Sequence, residues 1–519
     1  MCISESSYNH TCKIWYYSVS FIPQMAGQTF IYGLSSIVGR ILNYFLVPLY
    51  THCFPSEEYG VVVEMYTYVT FLLIILTYGM ETGFFNFSKS ENNPELVFTT
   101  SITSLFTTSS LFILFGLWFA PNVAHYLGYD NHVDFVSYVV IILGLDALTA
   151  IPFARLRQQN KAIKFAVFKL IGIFVNIGLN LFFILWLPKL AQNYEIFASI
   201  YSKDFGVGYV FVANLVSSVL TLLLFVPDFL KVKYSFDGKL LRRMLIYSLP
   251  LVVSGLAGMI NDFFDRIAIK FFYTVPDGVE DANKFILSEM GIYGANAKIA
   301  VLMTLFVQCF RYAADPFFFS QKGSKDFNQL FANVNKYLIL FGLFIFLGIM
   351  GYMDIVKHFI AASYWDGLNV VPLLLIGHWL VGMVYLQSFW YKLDNKTVYG
   401  IYIFLVGSVL TIVLDYLLVP RMGYIACALT NAVSSFVMLV ITFVWGRKHL
   451  PCEYDFRNII IFFALACVSY FLITLVDDFD FWIKLSINTL IIIAFASIVI
   501  KVENLWQPLK NFANKLLKR

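Results

Sequence analysis

Six cations (Arg40, Lys169, Arg266, Lys270, Lys298 and Arg311) and seven anions (Glu64, Glu81, Asp146, Asp262, Asp265, Asp315 and Asp415) stand inside otherwise apolar stretches of the chain. Ser36, Arg40 and Asn43 are four and three residues apart, which on a helix makes one polar stripe. A guanidinium in such a stripe can grip a phosphate-bearing anion through two parallel N–H donors, or pair with a neighbouring carboxylate for structure alone. The stripe recurs with Ser254, Gly258, Asn261 or Asp262, and Asp265, downstream of Pro250, which bends a helix. Asp262 and Arg266, four apart, can pair within that helix; the other reading is a charge cluster that exchanges partners or contacts sugar or phosphate. Arg311 and Asp315 read as another intrahelical pair, with Arg311 also a candidate for substrate contact, and Lys298 as the better contact for phosphate. Glu64, Asp146 and Asp415 could carry a coupling proton or sodium ion, or sit in fixed salt bridges. His378 reads more readily as a hydrogen-bonded packing residue than as a proton relay.

No other chemistry is written into the chain. The seven cysteines (Cys2, Cys12, Cys53, Cys309, Cys427, Cys452 and Cys467) form no CxxC pair and no metal-ligand spacing. No GxxxxGK[ST] phosphate loop occurs, which argues against direct ATP drive. The expectation is a protein without catalytic residues, metal or cofactor, and not an enzyme.

The elements that must position these charges are membrane helices. Of 519 residues, 59% are hydrophobic and only 13% charged, and the mean hydropathy is +0.74. A soluble chain carries about 25% charged residues, so this one lacks the polar surface to cover a water-facing body. Nucleic-acid binding, a secreted disulfide scaffold and cytosolic enzyme folds are poor explanations on the same ground. A span needs about 20 mostly apolar residues. The chain offers fourteen, at roughly 27–50, 58–83, 96–120, 133–152, 165–187, 207–227, 244–272, 291–316, 337–352, 367–391, 398–419, 423–446, 458–476 and 482–500. The ninth is short and is expected to run on toward His358. Segments after the even-numbered spans hold 23 Lys and Arg against 5 after the odd-numbered ones. That asymmetry predicts cytoplasmic termini at both ends. The tail from Lys510 to Arg519 is a short basic amphipathic stretch suited to an anionic leaflet. Residues 1–24 are polar and aromatic and fit no span, so they read as a disordered extension or a mis-assigned start before Met25.

Parts of the first half return in the second. Glu58-Tyr-Gly60 recurs as Glu289-Met-Gly291, Gly208-Tyr209 as Gly423-Tyr424, and Val216-Ser-Ser218 as Val433-Ser-Ser435. The expected fold is therefore an all-α polytopic membrane protein of about 14 helices. Two pseudo-symmetric six-helix lobes, residues 25–243 and 244–446, are followed by two extra helices and a basic tail in 447–519. An even number of spans separates the copies, which makes the repeat parallel, and lobes of this kind transport by rocking about a polar cavity.

Several segments in order carry a resemblance. Ser35-Ser-Ile-Val-Gly-Arg40, Val47-Pro-Leu-Tyr50, Tyr59-Gly60, Tyr247-Ser-Leu-Pro-Leu251 with Asp265-Arg266, Gly291-Ile-Tyr-Gly294 with Ala297-Lys298, Trp390-Tyr-Lys-Leu393 with Lys396-Thr397, and Val419-Pro-Arg-Met-Gly-Tyr424 run from about residue 25 to 450. Together they resemble bacterial polysaccharide (O-antigen) flippases of the multidrug/oligosaccharidyl-lipid/polysaccharide exporter superfamily. Asp415 stands where that likeness leads one to expect Asn. The resemblance implies movement of undecaprenyl-pyrophosphate-linked oligosaccharide across the bacterial inner membrane for lipopolysaccharide or related surface polysaccharide. It also implies a polysaccharide polymerase and glycosyltransferases as partners. The substrate-contacting set is then Arg40, Asn43, Asp262, Asp265, Arg266, Lys298 and Arg311. The alternative is a cation-coupled drug or small-molecule exporter of the same superfamily. A polymerase or ligase fits less well, because the longest loops on the expected outer side, about 188–206 and 273–290, hold no His and few cations.

Overall fold

Apolar runs in a bilayer have no water to bond their backbone, so each must close its own hydrogen bonds as a helix. The computed structural model describes residues 37–91, 93–321, 326–394 and 396–503, and no strand occurs among them. Residues 1–24, Ser36 and the basic tail lie outside the described residues.

The helices are α1 (37–44, continued as Leu46–Cys53), α2 (Ser56–Thr77, resumed as Met80–Ser90), α3 (Pro94–Leu127), α4 (Val133–Gln158) and α5 (Ala162–Leu181). They continue with α6 (Gly208–Leu230), α7 (Gly238–Phe272), α8 (Ala282–Gln321), α9 (Phe327–Gly351) and α10 (Val371–Gln387). The last four are α11 (Val398–Met422), α12 (Tyr424–His449), α13 (Phe456–Leu475) and α14 (Phe481–Val502). Among the described residues, 13 segments, α2 to α14, are long and apolar enough to cross a membrane. Each corresponds to an expected span.

Local sequence sets the ends and breaks. The Asn93 side chain accepts from the Glu95 and Leu96 amides to start α3, and Asp237 does the same for Lys239 and Leu240 at the head of α7. Tyr78 and Gly79, with φ of 37° and 68°, interrupt α2, because the left-handed region cannot continue a helix. Pro188, which has no N–H to give, is preceded by a π-helical turn over Phe182–Trp186.

The ninth helix corrects its expected span. It begins earlier, at Phe327, and runs to Gly351; after Tyr352, short helical turns over Met353–Val356 and Lys357–Phe359 carry the chain on to His358, as expected. Asn335 and Lys336 disguised its first turns as loop. Both are buried and satisfied: Asn335 accepts from Gln387 Nε2 at 2.9 Å, and Lys336 pairs with Glu503 at 2.6 Å and Asp455 at 3.3 Å. At the other end of α9, Asp354 binds Lys357 at 2.7 Å and Lys484 at 2.6 Å, and Lys484 also binds Asp477 at 2.7 Å. Asn488 donates to the Gly351 carbonyl at 2.9 Å. The two C-terminal helices are thus fastened to α9 by ionic contacts at both ends.

The chain forms two compact units. One comprises residues up to Phe54 and Met65–Leu256, the other Pro55–Glu64 and residues from Ala257 on. In the first, Met80, Phe84, Phe98, Ile102, Ile151 and Met244 form a core joining α2, α3, α4 and α7. In the second, Val384, Trp390, Tyr391, Ile403 and Met438 join α10, α11 and α12. The second unit also contains the repeated Glu-x-Gly segments, and they meet reciprocally. Gly60 faces the Leu287 carbonyl and Gly291 faces the Ser56 carbonyl, each so close that a Cβ would collide with backbone. The Ser56 and Ser288 hydroxyls bond at 2.6 Å between them. Small residues at these positions let α2 and α8 approach backbone to backbone.

Candidate functional site

In the second unit the α7 stripe is the organising element. Arg266 donates from Nη1 to Asp265 Oδ1 at 2.6 Å, their side chains only 13% and 10% exposed, and Tyr293 of α8 donates its hydroxyl to Asp265 Oδ2. The same Arg266 nitrogen reaches the backbone carbonyl of Asp262 at 2.9 Å, not its carboxylate. The expected Asp262–Arg266 pair is therefore absent, because a tyrosine from a second helix fixes Asp265 as the stronger acceptor. The guanidinium lies 5.2 Å from the Phe263 ring centroid and 5.3 Å from that of Tyr293. Asp262 itself is exposed and within electrostatic range of Arg266 and Arg311.

One turn on, Lys270 lies 3.3 Å from Glu64, the two side chains 7% and 2% exposed, and donates to Asn283 Oδ1 at 2.7 Å. Glu64 is thus held in a salt bridge, the fixed alternative of its two readings. Asp315 accepts from Tyr385 rather than pairing with Arg311, whose guanidinium lies 4.0 Å over the Tyr385 ring. Lys392 lies 3.8 Å from the same ring. Tyr385, on α10, was invisible to a reading of α8 by itself.

Lys298 and Asp415 also stand without a countercharge among the described residues. Lys298 is half-buried and makes no hydrogen bond or ion pair among the described residues. Asp415 on α11 is fully buried, and neither carboxylate oxygen has a hydrogen-bond partner. The Thr430 hydroxyl stands beside it without completing a bond. His378 bonds Thr304 at 3.1 Å and the Ala300 carbonyl at 3.2 Å, as a packing residue would.

In the first unit Arg40 is exposed and has no ion pair among the described residues. Its neighbour Gly39 packs on Ile173 of α5, which sets the direction of the stripe; Asn43 is exposed one turn further. Arg40, Arg157 and Glu81 all act electrostatically on Lys169 of α5. Arg157 is taken by Glu81. Arg40 and Lys169 therefore remain as surplus positive charge. In the sequence Lys169 is one of six cations in apolar stretches, and only its position against α1 shows it as part of this surplus. Asp146 accepts from Ser218 at 2.7 Å, beside Tyr66, whose hydroxyl accepts from Asn214 at 2.9 Å, and it has no cation partner among the described residues.

Solved structures share this architecture. The lipid II flippase MurJ in an inward closed conformation matches with a TM-score of 0.69 at 15% identity, over 91% of this chain and 99% of that one. An inward-facing multidrug resistance MATE family transporter of the MOP superfamily matches at 0.58 and 14%, over 82% and 94%. MATE in the straight conformation matches at 0.56 and 16%, over 83% and 96%. At these identities the likeness is one of fold. No curated protein sequence matches the chain. The polysaccharide biosynthesis protein family, in contrast, matches it over residues 26–321. More than half of the sequence, with Arg40, Asp265, Arg266 and Lys298 inside the matched region, carries that pattern, and the chain belongs to the polysaccharide biosynthesis protein family.

Proposed function

We propose that this protein moves an undecaprenyl-pyrophosphate-linked oligosaccharide from the cytoplasmic to the periplasmic leaflet of the bacterial inner membrane by alternating access. The observation that carries the reading is the surplus of cations within apolar helices: Arg40 with Lys169 in one unit, Lys298 in the other, none neutralised by a carboxylate. A charge at membrane depth costs about 2.5–3.5 kcal/mol on insertion scales, and an unneutralised one is retained only where something anionic repays it. A pyrophosphate head crossing the bilayer is such a group, and its own desolvation is offset by the same contacts. Arg40 offers a bidentate grip, Lys298 a point charge, and the exposed Asn43 a neutral donor for sugar hydroxyls. Asp262 and Arg311, both exposed and near one another electrostatically, fit a contact that forms and breaks during the cycle. Glu64, bound to Lys270, serves structure. Asp146 and Asp415 are the coupling candidates, since each lacks a protein cation and would be completed by a proton or a sodium ion. Polymerase and glycosyltransferase partners, and an O-antigen or other lipopolysaccharide destination, belong to the same proposal, which membership of the polysaccharide biosynthesis protein family supports.

The test is a deletion strain complemented with Arg40→Ala. Surface polysaccharide should fall to the deletion level while the protein stays in the membrane at normal amount, and lipid-linked repeats should accumulate on the cytoplasmic leaflet. Normal polysaccharide with this variant would remove Arg40 from the site. A cation-coupled exporter is the second reading, favoured by the unpartnered Asp415; it requires that the deletion sensitise cells to organic cations, which a flippase does not.

A further inference from the structure

Away from those charges, the first unit carries two adjoining cavities. One, of about 200 Å³, lies where α3 begins and α4 and α6 end, and Arg155, Lys161, Lys231, Glu95 and Asp228 line it. The other, of about 410 Å³, is a nearly pure hydrocarbon groove lined by Ile102, Phe106, Leu148, Leu222 and Val226. Phe229 is a wall of both. On α3 the groove starts at Ile102, roughly 10 Å further into the membrane than Glu95 at 1.5 Å per residue. It opens outward, with Phe106 61% exposed.

The charges of the polar cavity do not cancel. Glu95 is bound by Arg155 at 3.0 Å and Asp228 by Lys164 at 2.6 Å. Lys161 and Lys231 are exposed and have no partner among the described residues, so the cavity keeps two positive charges at the membrane edge. Tyr234, close enough to feel Arg155, also lines the groove and stands where chain and headgroup would meet. A wet cationic mouth continuous with a greasy, lipid-facing trough fits a molecule with an anionic head and a hydrocarbon tail.

We propose that this channel holds one anionic glycerophospholipid of the cytoplasmic leaflet, its phosphate between Lys161 and Lys231 and an acyl chain along α3 and α6. It is a site separate from the transport charges, and its occupant is a resident lipid rather than cargo.

The experiment is native mass spectrometry of the full-length protein, delipidated and then incubated with phosphatidylglycerol or with phosphatidylcholine of the same chains. Wild type should retain one phosphatidylglycerol in preference to phosphatidylcholine. The double variant Lys161→Gln, Lys231→Gln should lose that preference by roughly 30-fold, about fivefold per lysine. Val226→Trp, which fills the trough from an exposed position, should lower retention of both lipids. Equal retention of the two lipids by wild type, or an unchanged preference in the lysine variant, overturns the proposal. Displacement by inorganic phosphate at millimolar level would show a phosphate site without the groove, and displacement by a polyprenyl phosphate as effective as phosphatidylglycerol would make the groove a cargo site; either also overturns it. Unchanged thermal unfolding of both variants separates lost binding from lost fold.

Discussion

Among single residues, the contrast between Asp265 and Asp415 is the most instructive. Both are aspartates inside apolar helices, yet Asp265 is saturated by Arg266 and Tyr293 and Asp415 is buried with both oxygens unmet. An unmet buried polar group costs about 1–3 kcal/mol. Asp415→Asn should therefore raise the thermal unfolding temperature of the purified protein while reducing transport, a pairing expected of a residue kept for function at the expense of stability. A variant that both transports normally and unfolds at the wild-type temperature would remove Asp415 from the coupling set. Sequence spacing offered Asp262 as an internal partner for Arg266, beside the reading of a charge cluster; the structure gives it Asp265. The i,i+4 rule describes an isolated helix, and here Tyr293 from α8 changed the competition.

At the scale of elements, two contacts deserve tests of their own. Gly60 and Gly291 allow α2 and α8 to touch through their backbones. Gly60→Leu should destabilise by at least about 1–3 kcal/mol, since the side chain meets a carbonyl that cannot swing aside; the thermal unfolding temperature and membrane yield report it. The clamp at Asp354 supplies a pH dependence. Burial pushes that carboxyl up, but Lys357 and Lys484 outweigh it and hold it below its ordinary value. A group depressed in the folded state binds its proton more readily once unfolded. Its contribution is thus fully present well above the ordinary aspartate range near 3.8 and is lost as pH falls through the lower folded value. Between pH 5 and pH 3 the wild type should lose more thermal stability than Asp354→Asn does. The ninth span illustrates why boundaries escaped sequence reading. Lys336 looked like loop because its partners, Asp455 and Glu503, are more than a hundred residues away along the chain.

For the whole molecule, orientation is the property that membrane insertion decides. The bias of 23 Lys and Arg against 5 between alternate segments predicts that a cysteine introduced at Lys161 in a cysteine-free background reacts only after the membrane is permeabilised. Ready labelling in intact cells would invert the topology and with it the direction proposed for transport. The all-α character and the order of the thirteen spans among the described residues were legible in the sequence alone. The bilayer imposes a one-dimensional test, a length of apolar chain that must satisfy its own backbone, and composition answers it. The sequence also shows Glu58-Tyr-Gly60 returning as Glu289-Met-Gly291, and in the structure these two segments meet through their glycines. Tertiary structure alone decided which charges are spent and which are spare. Arg266, Glu64 and Asp315 are satisfied by Asp265, Lys270 and Tyr385, whereas Arg40, Lys298 and Asp415 are left without a countercharge among the described residues. The physical reason is that electrostatic pairing falls off over a few ångströms of space, and the neighbours within that distance come from helices that the sequence holds far apart.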